Sequence, residues 1–290
     1  MKTIIDLNNN TYWIEASAAL EHYCKKYGGN PIPAAFVQNE MGFPVSAVDY
    51  DTYHYDRYIG LEKNLCTKSA EAFYKYTGIT EACSIKLEKR IPVCAGMGGG
   101  SADAAAVLIG LNILYQTRLK HSELADIALT LGADVPFMLR GGLMRAQGIG
   151  EQLTALRMKK RMHLVILMPR RGASTREVFA SFESADAVPF NNDRLAEALT
   201  NGDIAGALPF MVNHLQGAAV RQNPSIENAV RALEQSGAEK ALMTGSGSAC
   251  YGVYSSAEAA DNARRLLRGG EFAVYRAGTV DSAVRLTRIY

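Results

Sequence analysis

The chain has 290 residues, enough for one large domain or two modest ones with a real core. Its 31 basic and 29 acidic side chains nearly balance, which argues against nucleic acid as a main partner. No apolar run approaches the roughly 20 residues that a membrane-spanning helix needs, and the N-terminus lacks the pattern of a secretory signal peptide.

Cysteine and histidine usage predicts a protein of a reducing compartment that holds no metal ion with its own side chains. The five cysteines contain no Cys-x-x-Cys pair, and an odd number of thiols fits the cytoplasm better than a disulfide framework. The five histidines show no metal-ligand spacing. We therefore expect a cytoplasmic protein that binds no transition metal through its own side chains. The cysteines are Cys24, Cys66, Cys83, Cys94 and Cys250.

The first sixty residues differ in composition from the rest of the chain. They contain seven of the fourteen tyrosines and the sole tryptophan, Trp13. They carry four basic and seven acidic side chains, so the remainder of the chain is basic. The sequence thus has a compositional boundary near residue 61.

Residues 84–115 predict a strand, a glycine-rich turn and a helix in succession. Residues 84–91 alternate apolar and charged side chains as a strand does, and residues 104–115 place their larger apolar side chains on one helical stripe. The turn between them holds Gly96, Gly98, Gly99 and Gly100. Glycines adopt positive φ freely, and their N–H groups together with a helix starting near Ser101 form an anion site.

Other interpretations of this turn remain open on pattern alone. A plain strand-to-helix connection also uses glycines. A Walker A loop does not fit, because Gly100 is followed by Ser101 and Ala102 with no lysine. The dinucleotide-binding pattern does not fit either, because it requires glycine at position 101.

The segment after the turn predicts a second helix and a carboxylate at its end. Ser122 is expected to cap this helix, which ends at Gly132. Asp134 then stands just beyond the helix terminus, where an aspartate is commonly a turn or cap residue. Residues 141–154 combine glycine pairs with short apolar stretches, as short strands and tight turns do.

The second half of the chain predicts another unit of mixed structure. Residues 159–161 are a charged hinge candidate, residues 163–169 a buried strand, and Ser174 to Glu177 a capping box that opens a helix. Because strands and helices do not alternate regularly, the fold class is α+β. Further helices are expected at 193–201, 204–219, 225–236 and 257–268, and further strands at 240–243, 249–254 and 272–277.

The complete turn, Pro-x-x-x-Gly-Met-Gly-Gly-Gly-Ser-x-Asp-Ala-Ala-Ala, resembles the ATP loop of the galactokinase, homoserine kinase, mevalonate kinase and phosphomevalonate kinase (GHMP) superfamily. It is most similar to the branch of 4-diphosphocytidyl-2-C-methyl-D-erythritol kinases, although Ala102 replaces the serine usual there. The resemblance extends from about residue 62 to the C-terminus and includes Leu129-Thr130-Leu131-Gly132-Ala133-Asp134-Val135-Pro136-Phe137, Gly148-Ile149-Gly150-Glu151, Met243-Thr244-Gly245-Ser246-Gly247-Ser248-Ala249-Cys250 and shorter echoes such as Val212-Asn213-His214-Leu215.

The resemblance implies a two-lobed fold and a set of site residues. Residues 1–158 would form an ATP-binding lobe like domain 2 of ribosomal protein S5, with 1–60 atypical, and residues 159–290 a C-terminal lobe like an α/β-plait. Asp134 would be the catalytic base, and Thr244, Gly245, Ser246, Gly247 and Ser248 would form a loop beside the phosphates. ATP would bind through Asn64, Pro92, Val93, Cys94, Ala95, Gly96, Met97, Gly98, Gly99, Gly100, Ser101 and Ala102.

The implied activity is ATP- and Mg²⁺-dependent phosphorylation of the 2-hydroxyl of 4-diphosphocytidyl-2-C-methyl-D-erythritol, on the non-mevalonate route to isoprenoids, by a monomer or homodimer. The N-terminus lacks two expected motifs, a Pro-Ala-Lys-Ile-Asn-Leu type strand and an Asp-Gly-Tyr-His segment. Lys2 is the only lysine in the first twenty residues, and His54 in Asp-Thr-Tyr-His is assigned no role.

Three interpretations of this N-terminus stay open: a substituted exon or fusion, a frame error bracketed by correct sequence, or divergence of a paralogue that gave up catalysis. A nucleotide-binding protein without turnover and another small-molecule GHMP kinase are the alternative functions.

Overall fold

The computed structural model describes residues 2–7, 10–16, 64–80, 83–88, 91–148, 150–281 and 285–288. His54 lies outside these residues. The chain divides into two compact units. The first combines residues 1–91, 99–154 and 282–290, and the second combines residues 92–98 and 155–281. The division into an ATP-binding lobe at 1–158 and a C-terminal lobe at 159–290 stays a prediction.

In chain order, the helices and strands are β1 (Lys2–Leu7), β2 (Asn10–Ala16), α1 (Leu65–Thr77), β3 (Cys83–Glu88), α2 (Gly99–Leu114), α3 (His121–Leu131), α4 (Val135–Met138), β4 (Leu143–Gln147), β5 (Gln152–Leu156), β6 (His163–Met168), α5 (Thr175–Ala180), α6 (Asn192–Asn201), α7 (Ile204–Ala207), α8 (Gln216–Gln222), α9 (Ser225–Gln235), β7 (Lys240–Met243), β8 (Cys250–Tyr254), α10 (Ala257–Leu267), β9 (Ala273–Gly278) and β10 (Arg285–Arg288). Short 3₁₀ helices lie at Ser184–Asp186 and Leu208–Phe210.

An antiparallel sheet and a group of helices build the first unit. The sheet has the order β10-β1-β2-β3, with Ile4 opposite Trp13 and Ile14 opposite Ile85. Helix α2 packs across β1 and β2, and α1, α3 and α4 pack against α2. The core between the helices contains Phe73, fully buried on α1. Strands β4 and β5 form a separate two-stranded sheet, and the boundary between the units falls within β5.

The second unit is an antiparallel sheet of order β7-β8-β6-β9 with apolar contacts on both faces. Successive residues of a strand point to opposite faces, so β6 serves two cores. Val165 and Leu167 belong to the larger core, which also contains residues of α8, α9 and α10. Ile166 and Met168 lie in a smaller cluster with Ala95 from the glycine-rich turn. The turn is therefore anchored on the second face of this sheet.

The structure corrects several predicted boundaries. Helix α2 begins at Gly99, two residues before Ser101, so the last two glycines of the turn are helical. Ser122 does not cap α3; Lys120 holds the N-cap position, and its N–H donates to the Glu123 carboxylate at 2.8 Å.

The helix predicted over 204–219 is also wrong, because it is interrupted. Helix α7 ends at Ala207 and α8 begins only at Gln216. Pro209 lies between them, and a proline cannot donate the N–H that a continuous helix requires there. The N-cap at Ser174 is confirmed, since its hydroxyl accepts a hydrogen bond from Glu177 N at 3.4 Å, but the return bond of a capping box, from Ser174 N to the Glu177 side chain, is not among the hydrogen bonds of the described residues. In the part of the chain described above, no helix is long and apolar enough to cross a membrane.

Candidate phosphate-binding site

The glycine-rich turn has two glycines in the left-handed region. Gly96 has φ 69° and Gly98 has φ 66°, a conformation that side chains with a Cβ rarely adopt. Cys94 also has positive φ, at 56°, although it is not a glycine. Gly99 and Gly100 instead form the first turn of α2, and a Cβ on Gly100 would lie 3.3 Å from Leu65 Cδ1. Close packing between the starts of α1 and α2 therefore accounts for Gly100.

The backbone of the turn carries three N–H groups that have no acceptor in the described part of the chain. Considering only the residues the structure describes, the N–H groups of Gly96, Met97 and Gly98 donate to no protein acceptor. The chain then enters α2, whose first N–H groups have no partner within a helix and carry the positive end of its dipole. Unpaired amides followed by a helix N-terminus are a suitable arrangement for phosphate oxygens.

A second glycine loop, residues 244–248, packs directly against the turn. Thr244 Oγ1 donates to Gly96 O at 3.2 Å. The backbones of the two loops also pair, with Ser248 N donating to Cys94 O at 3.3 Å and Ala249 N to Ala95 O at 3.1 Å. A Cβ on Gly96 would lie only 2.2 Å from Thr244 O. Gly96 is thus required by contact with the second loop as well as by its own φ.

Side chains in the 244–248 loop, called here the Thr244 loop, have distinct environments. The Ser246 hydroxyl pairs with Thr175 Oγ1 at 2.8 Å at the start of α5. The Ser248 hydroxyl is fully buried and donates to Met168 Sδ at 3.8 Å. Ser248 therefore packs the base of the loop, while Ser246 lies at its exposed side. A role of either at the phosphates stays a prediction.

The remaining residues predicted for ATP binding differ in exposure. Pro92, Val93 and Ser101 are half-buried, and Cys94 is exposed. Ala102 is 3% exposed and its side chain packs into the core of the first unit. The departure from the family's serine at this position therefore falls on a buried side chain.

Asp134 lies at the N-cap of α4, the position where the chain turns after α3. Helix α3 ends at Leu131, and Gly132 N donates to Ala128 O at 3.3 Å. The Asp134 carboxylate makes no capping bond, and none of the described side chains forms an ion pair with it. It is exposed, while the adjacent Val135 is fully buried in the core that α2 shares. The Asp134 carboxylate is therefore accessible to a ligand, and its role as the catalytic base stays a prediction.

The turn at residues 148–151 contacts the segment that carries Asp134. A Cβ on Gly150, where φ is 114°, would lie 3.6 Å from Ala133 O and 3.7 Å from Ala133 Cβ. Gly148 has φ 69°, and a Cβ there would overlap the Glu151 carboxylate at 2.3 Å. The structure thus brings together two stretches that the sequence showed only as separate motifs.

Asn64 is the N-cap of α1. Its Oδ1 accepts a hydrogen bond from Cys66 N at 2.9 Å, and its own carbonyl accepts from Lys68 N. Because the next residue, Leu65, lies against Gly100, Asn64 stands near the start of α2. The predicted adenine contact of Asn64 remains a prediction.

Two thiols beside these motifs are chemically inactive near neutral pH. Burial raises the pKa of Cys250 to about 12, and its thiol donates to Ile226 O at 3.6 Å. Burial, partly offset by hydrogen bonds from Tyr74 and Tyr115, raises the pKa of Cys83 to about 11. Since the thiolate is the nucleophilic form, neither residue is a candidate for covalent chemistry.

The sequence motifs included Asn213 and Thr175 without giving either a role at the site, and Gln216 was not predicted. Asn213 Nδ2 donates to Met243 O at 2.7 Å and to Gly245 O at 2.8 Å. Gln216 Oε1 accepts from Met243 N at 2.8 Å. Only the family-like Asn-His-Leu stretch marked Asn213 in the sequence, because its hydrogen-bond partners, Met243 and Gly245, lie 30 and 32 residues away.

Comparison with known proteins agrees with this geometry. Residues 64–142 match the family described as GHMP kinases N terminal domain, and residues 195–269 match GHMP kinases C terminal. The chain is 37% identical over 223 residues to a 4-diphosphocytidyl-2-C-methyl-D-erythritol kinase of Desulfitobacterium hafniense, covering 76% of each chain. A protein of the same name from Alkaliphilus metalliredigens is 38% identical over 195 residues, covering 67% of each.

Solved structures give the same result. A crystal structure of 4-(cytidine 5'-diphospho)-2C-methyl-D-erythritol kinase superposes with a TM-score of 0.66 at 26% identity, covering 96% of both chains. Homoserine kinase from Cytophaga hutchinsonii shares the fold, with a TM-score of 0.73 at 16% identity over 98% of this chain and 91% of that one. The chain belongs to the GHMP kinase family, which confirms the predicted fold class, and it is an ATP-dependent small-molecule kinase.

Proposed function

We propose that this chain transfers the γ-phosphoryl group of ATP to the 2-hydroxyl of 4-diphosphocytidyl-2-C-methyl-D-erythritol, in the cytoplasm and on the non-mevalonate route to isoprenoid precursors. The observation that carries the proposal is the similarity to two kinases named for this substrate, at 37% and 38% identity. The fold alone would not select it, because homoserine kinase shares the fold.

In the proposed reaction, the phosphates of ATP accept hydrogen bonds from the amides of Gly96 to Gly98 and from the first turn of α2. The substrate oxygen forms a bond to the γ-phosphorus while the bond to the bridging oxygen of ADP breaks. The hydroxyl proton passes to the Asp134 carboxylate. Holding both reactants in line and stabilising the phosphoryl charge supplies most of the rate in such transfers.

Mg²⁺ fits this site as a companion of ATP. Across the described ranges no cluster of three or more His, Cys, Asp or Glu side chains could hold a metal. Mg²⁺ commonly binds through one or two carboxylates together with substrate phosphates and waters, so it needs no such cluster. When bound, it would neutralise phosphate charge. We assign Asn64 to the adenine side of the site and the Thr244 loop to the phosphate side.

The N-terminal sequence lacks the family's Lys motif, which affects the expected rate of phosphoryl transfer. A cation beside the transferred phosphate lowers the cost of concentrating negative charge, and losing one typically costs orders of magnitude in rate. Because the Lys motif is missing from residues 1–20, we expect ATP binding with slow turnover of the cytidyl substrate. Replacing residues 1–60 with a segment that bears both family motifs should raise turnover, and Asp134→Asn in that chimera should remove the gain.

The test is ADP release by the full chain with and without the cytidyl substrate, with the product identified by phosphorus NMR. Substrate-dependent ADP release and a 2-phosphate product support the proposal. ATP binding without turnover by either the chain or the chimera supports a nucleotide-binding protein instead. Turnover of homoserine or mevalonate, but not of the cytidyl substrate, would assign the chain to another kinase of the family.

A further inference from the structure

The carboxamide of Asn213 is held in one orientation by three hydrogen bonds. Its Nδ2 donates to the carbonyls of Met243 and Gly245 at 2.7 and 2.8 Å, and its Oδ1 accepts from Leu215 N at 3.0 Å. Exchanging the amide oxygen and nitrogen would place an acceptor against two carbonyl oxygens. The two acceptors and one donor around it therefore specify a single arrangement.

These bonds fix the directions of two peptide planes in the Thr244 loop. A trans peptide is planar, and its N–H points away from its C=O. The carbonyl of Met243 faces Asn213, so Thr244 N points the other way, and it donates there to Ala249 O at 2.9 Å. The carbonyl of Gly245 also faces Asn213, so Ser246 N points away from Asn213.

The backbone N–H of Ser246 differs in its hydrogen bonding from the N–H groups of Gly247 and Ser248. In the stretches covered by the structure it donates to no protein acceptor, whereas Gly247 N donates to Thr244 O at 2.9 Å and Ser248 N to Cys94 O at 3.3 Å. It is carried by the loop that contacts the phosphate turn through Thr244 and Gly96. An oriented, unpaired amide beside a phosphate turn is the kind of donor that stabilises phosphoryl charge.

We propose that Asn213 is a positioning residue that aims the backbone N–H of Ser246 at the phosphates of the nucleotide. The inference rests on the proposed ATP site but not on the identity of the phosphate acceptor. Asn213 touches no ligand in this scheme. It acts through the peptide plane between Gly245 and Ser246, and it also limits movement of Thr244 against Gly96.

The test is calorimetric binding of ATP and ADP to the full chain. Asn213→Asp keeps the shape but replaces both N–H donors with an acceptor, and we expect the Kd for ATP to rise about tenfold or more. Ser246→Pro deletes the N–H itself and should weaken ATP binding more than Ser246→Ala, which retains it. Asn112→Asp is the control, because the Asn112 amide also bridges a loop, donating to Leu119 O at 3.2 Å and accepting from Leu119 N at 2.9 Å.

Asn112 stands thirteen residues after Gly99 on α2, roughly 20 Å along the helix at about 1.5 Å per residue. Asn112→Asp should therefore lower the melting temperature without changing the Kd for ATP. Because Asn213→Asp would misdirect the same Ser246 N–H that Ser246→Pro deletes, the double variant should bind ATP within about twofold of the more weakly binding single variant.

Two results would overturn the inference and leave the proposed function standing. One is a Kd for ATP in the double variant that equals the product of the two single effects, and the other is unchanged ATP affinity in folded Asn213→Asp. If Asn213→Asp does not fold, equal ATP affinity of Ser246→Pro and Ser246→Ala would overturn it as well. Failure of the unsubstituted chain to bind ATP would overturn the proposed function together with the inference. Binding of ATP without turnover of the cytidyl substrate would contradict the proposed substrate and leave this test intact.

Discussion

Gly96→Ala separates the two reasons for glycine at the centre of the phosphate turn. A residue with a Cβ at φ 69° costs roughly 1–2 kcal/mol for the left-handed conformation. The added Cβ would also lie 2.2 Å from Thr244 O and 2.7 Å from Gly247 N, which are backbone atoms that cannot swing aside. Overpacking of this kind costs about 1–3 kcal/mol, so the expected total is about 2–5 kcal/mol.

Gly78→Ala is the matched control for this experiment. Gly78 ends α1 with φ 71°, and a Cβ there would meet nothing within 4 Å. It therefore carries the conformational cost without the overlap. Urea unfolding should show the larger loss of stability for Gly96→Ala, and calorimetry should show ATP affinity reduced at least tenfold in Gly96→Ala and unchanged in Gly78→Ala. Equal stability losses with equal ATP affinities would refute the contact argument.

Three further predictions test the site and its surroundings. Asp134→Asn retains the shape but cannot accept the hydroxyl proton, so kcat should fall by about 10² or more at nearly constant ATP affinity; equal kcat in both proteins would make Asp134 structural. Cys94 is exposed in the turn, so peptide mapping after iodoacetamide treatment should show it alkylated without ATP and protected with ATP; equal labelling would place ATP elsewhere. Hydrogen bonds from Arg221 and from the Glu183 backbone hold the pKa of Asp186 at about 2, below its usual value of about 3.9. A carboxyl pKa that is lower in the folded than in the unfolded state stabilises the fold at pH values above the unfolded pKa. The stability difference between the protein and Arg221→Ala should therefore be constant above about pH 5 and shrink as the pH falls toward 2; a difference at pH 2.5 as large as that at pH 7 would contradict this.

Local sequence patterns predicted much of the site. Apolar alternation before residue 92, clustered glycines and a helix-forming run after them predicted a strand, a turn and a helix, and the structure has all three. The Ser174 cap followed from the spacing of a serine and a glutamate at a helix start. These features depend on residues a few positions apart, so the order of side chains along the chain determines them.

Packing between distant segments decided the rest. The sequence predicted that Gly96 supplies positive φ, but its closest contact is with Thr244, 148 residues away. In the sequence, Asn213 was part of a short family-like stretch with no assigned role. The structure shows that its amide donates hydrogen bonds to the carbonyls of Met243 and Gly245. The pairing of β1 with β10 from the far end of the chain likewise depends on tertiary contacts. Local periodicity predicts which face of a helix or strand is apolar. The residues that pack against that face are determined only by the packing of the whole core.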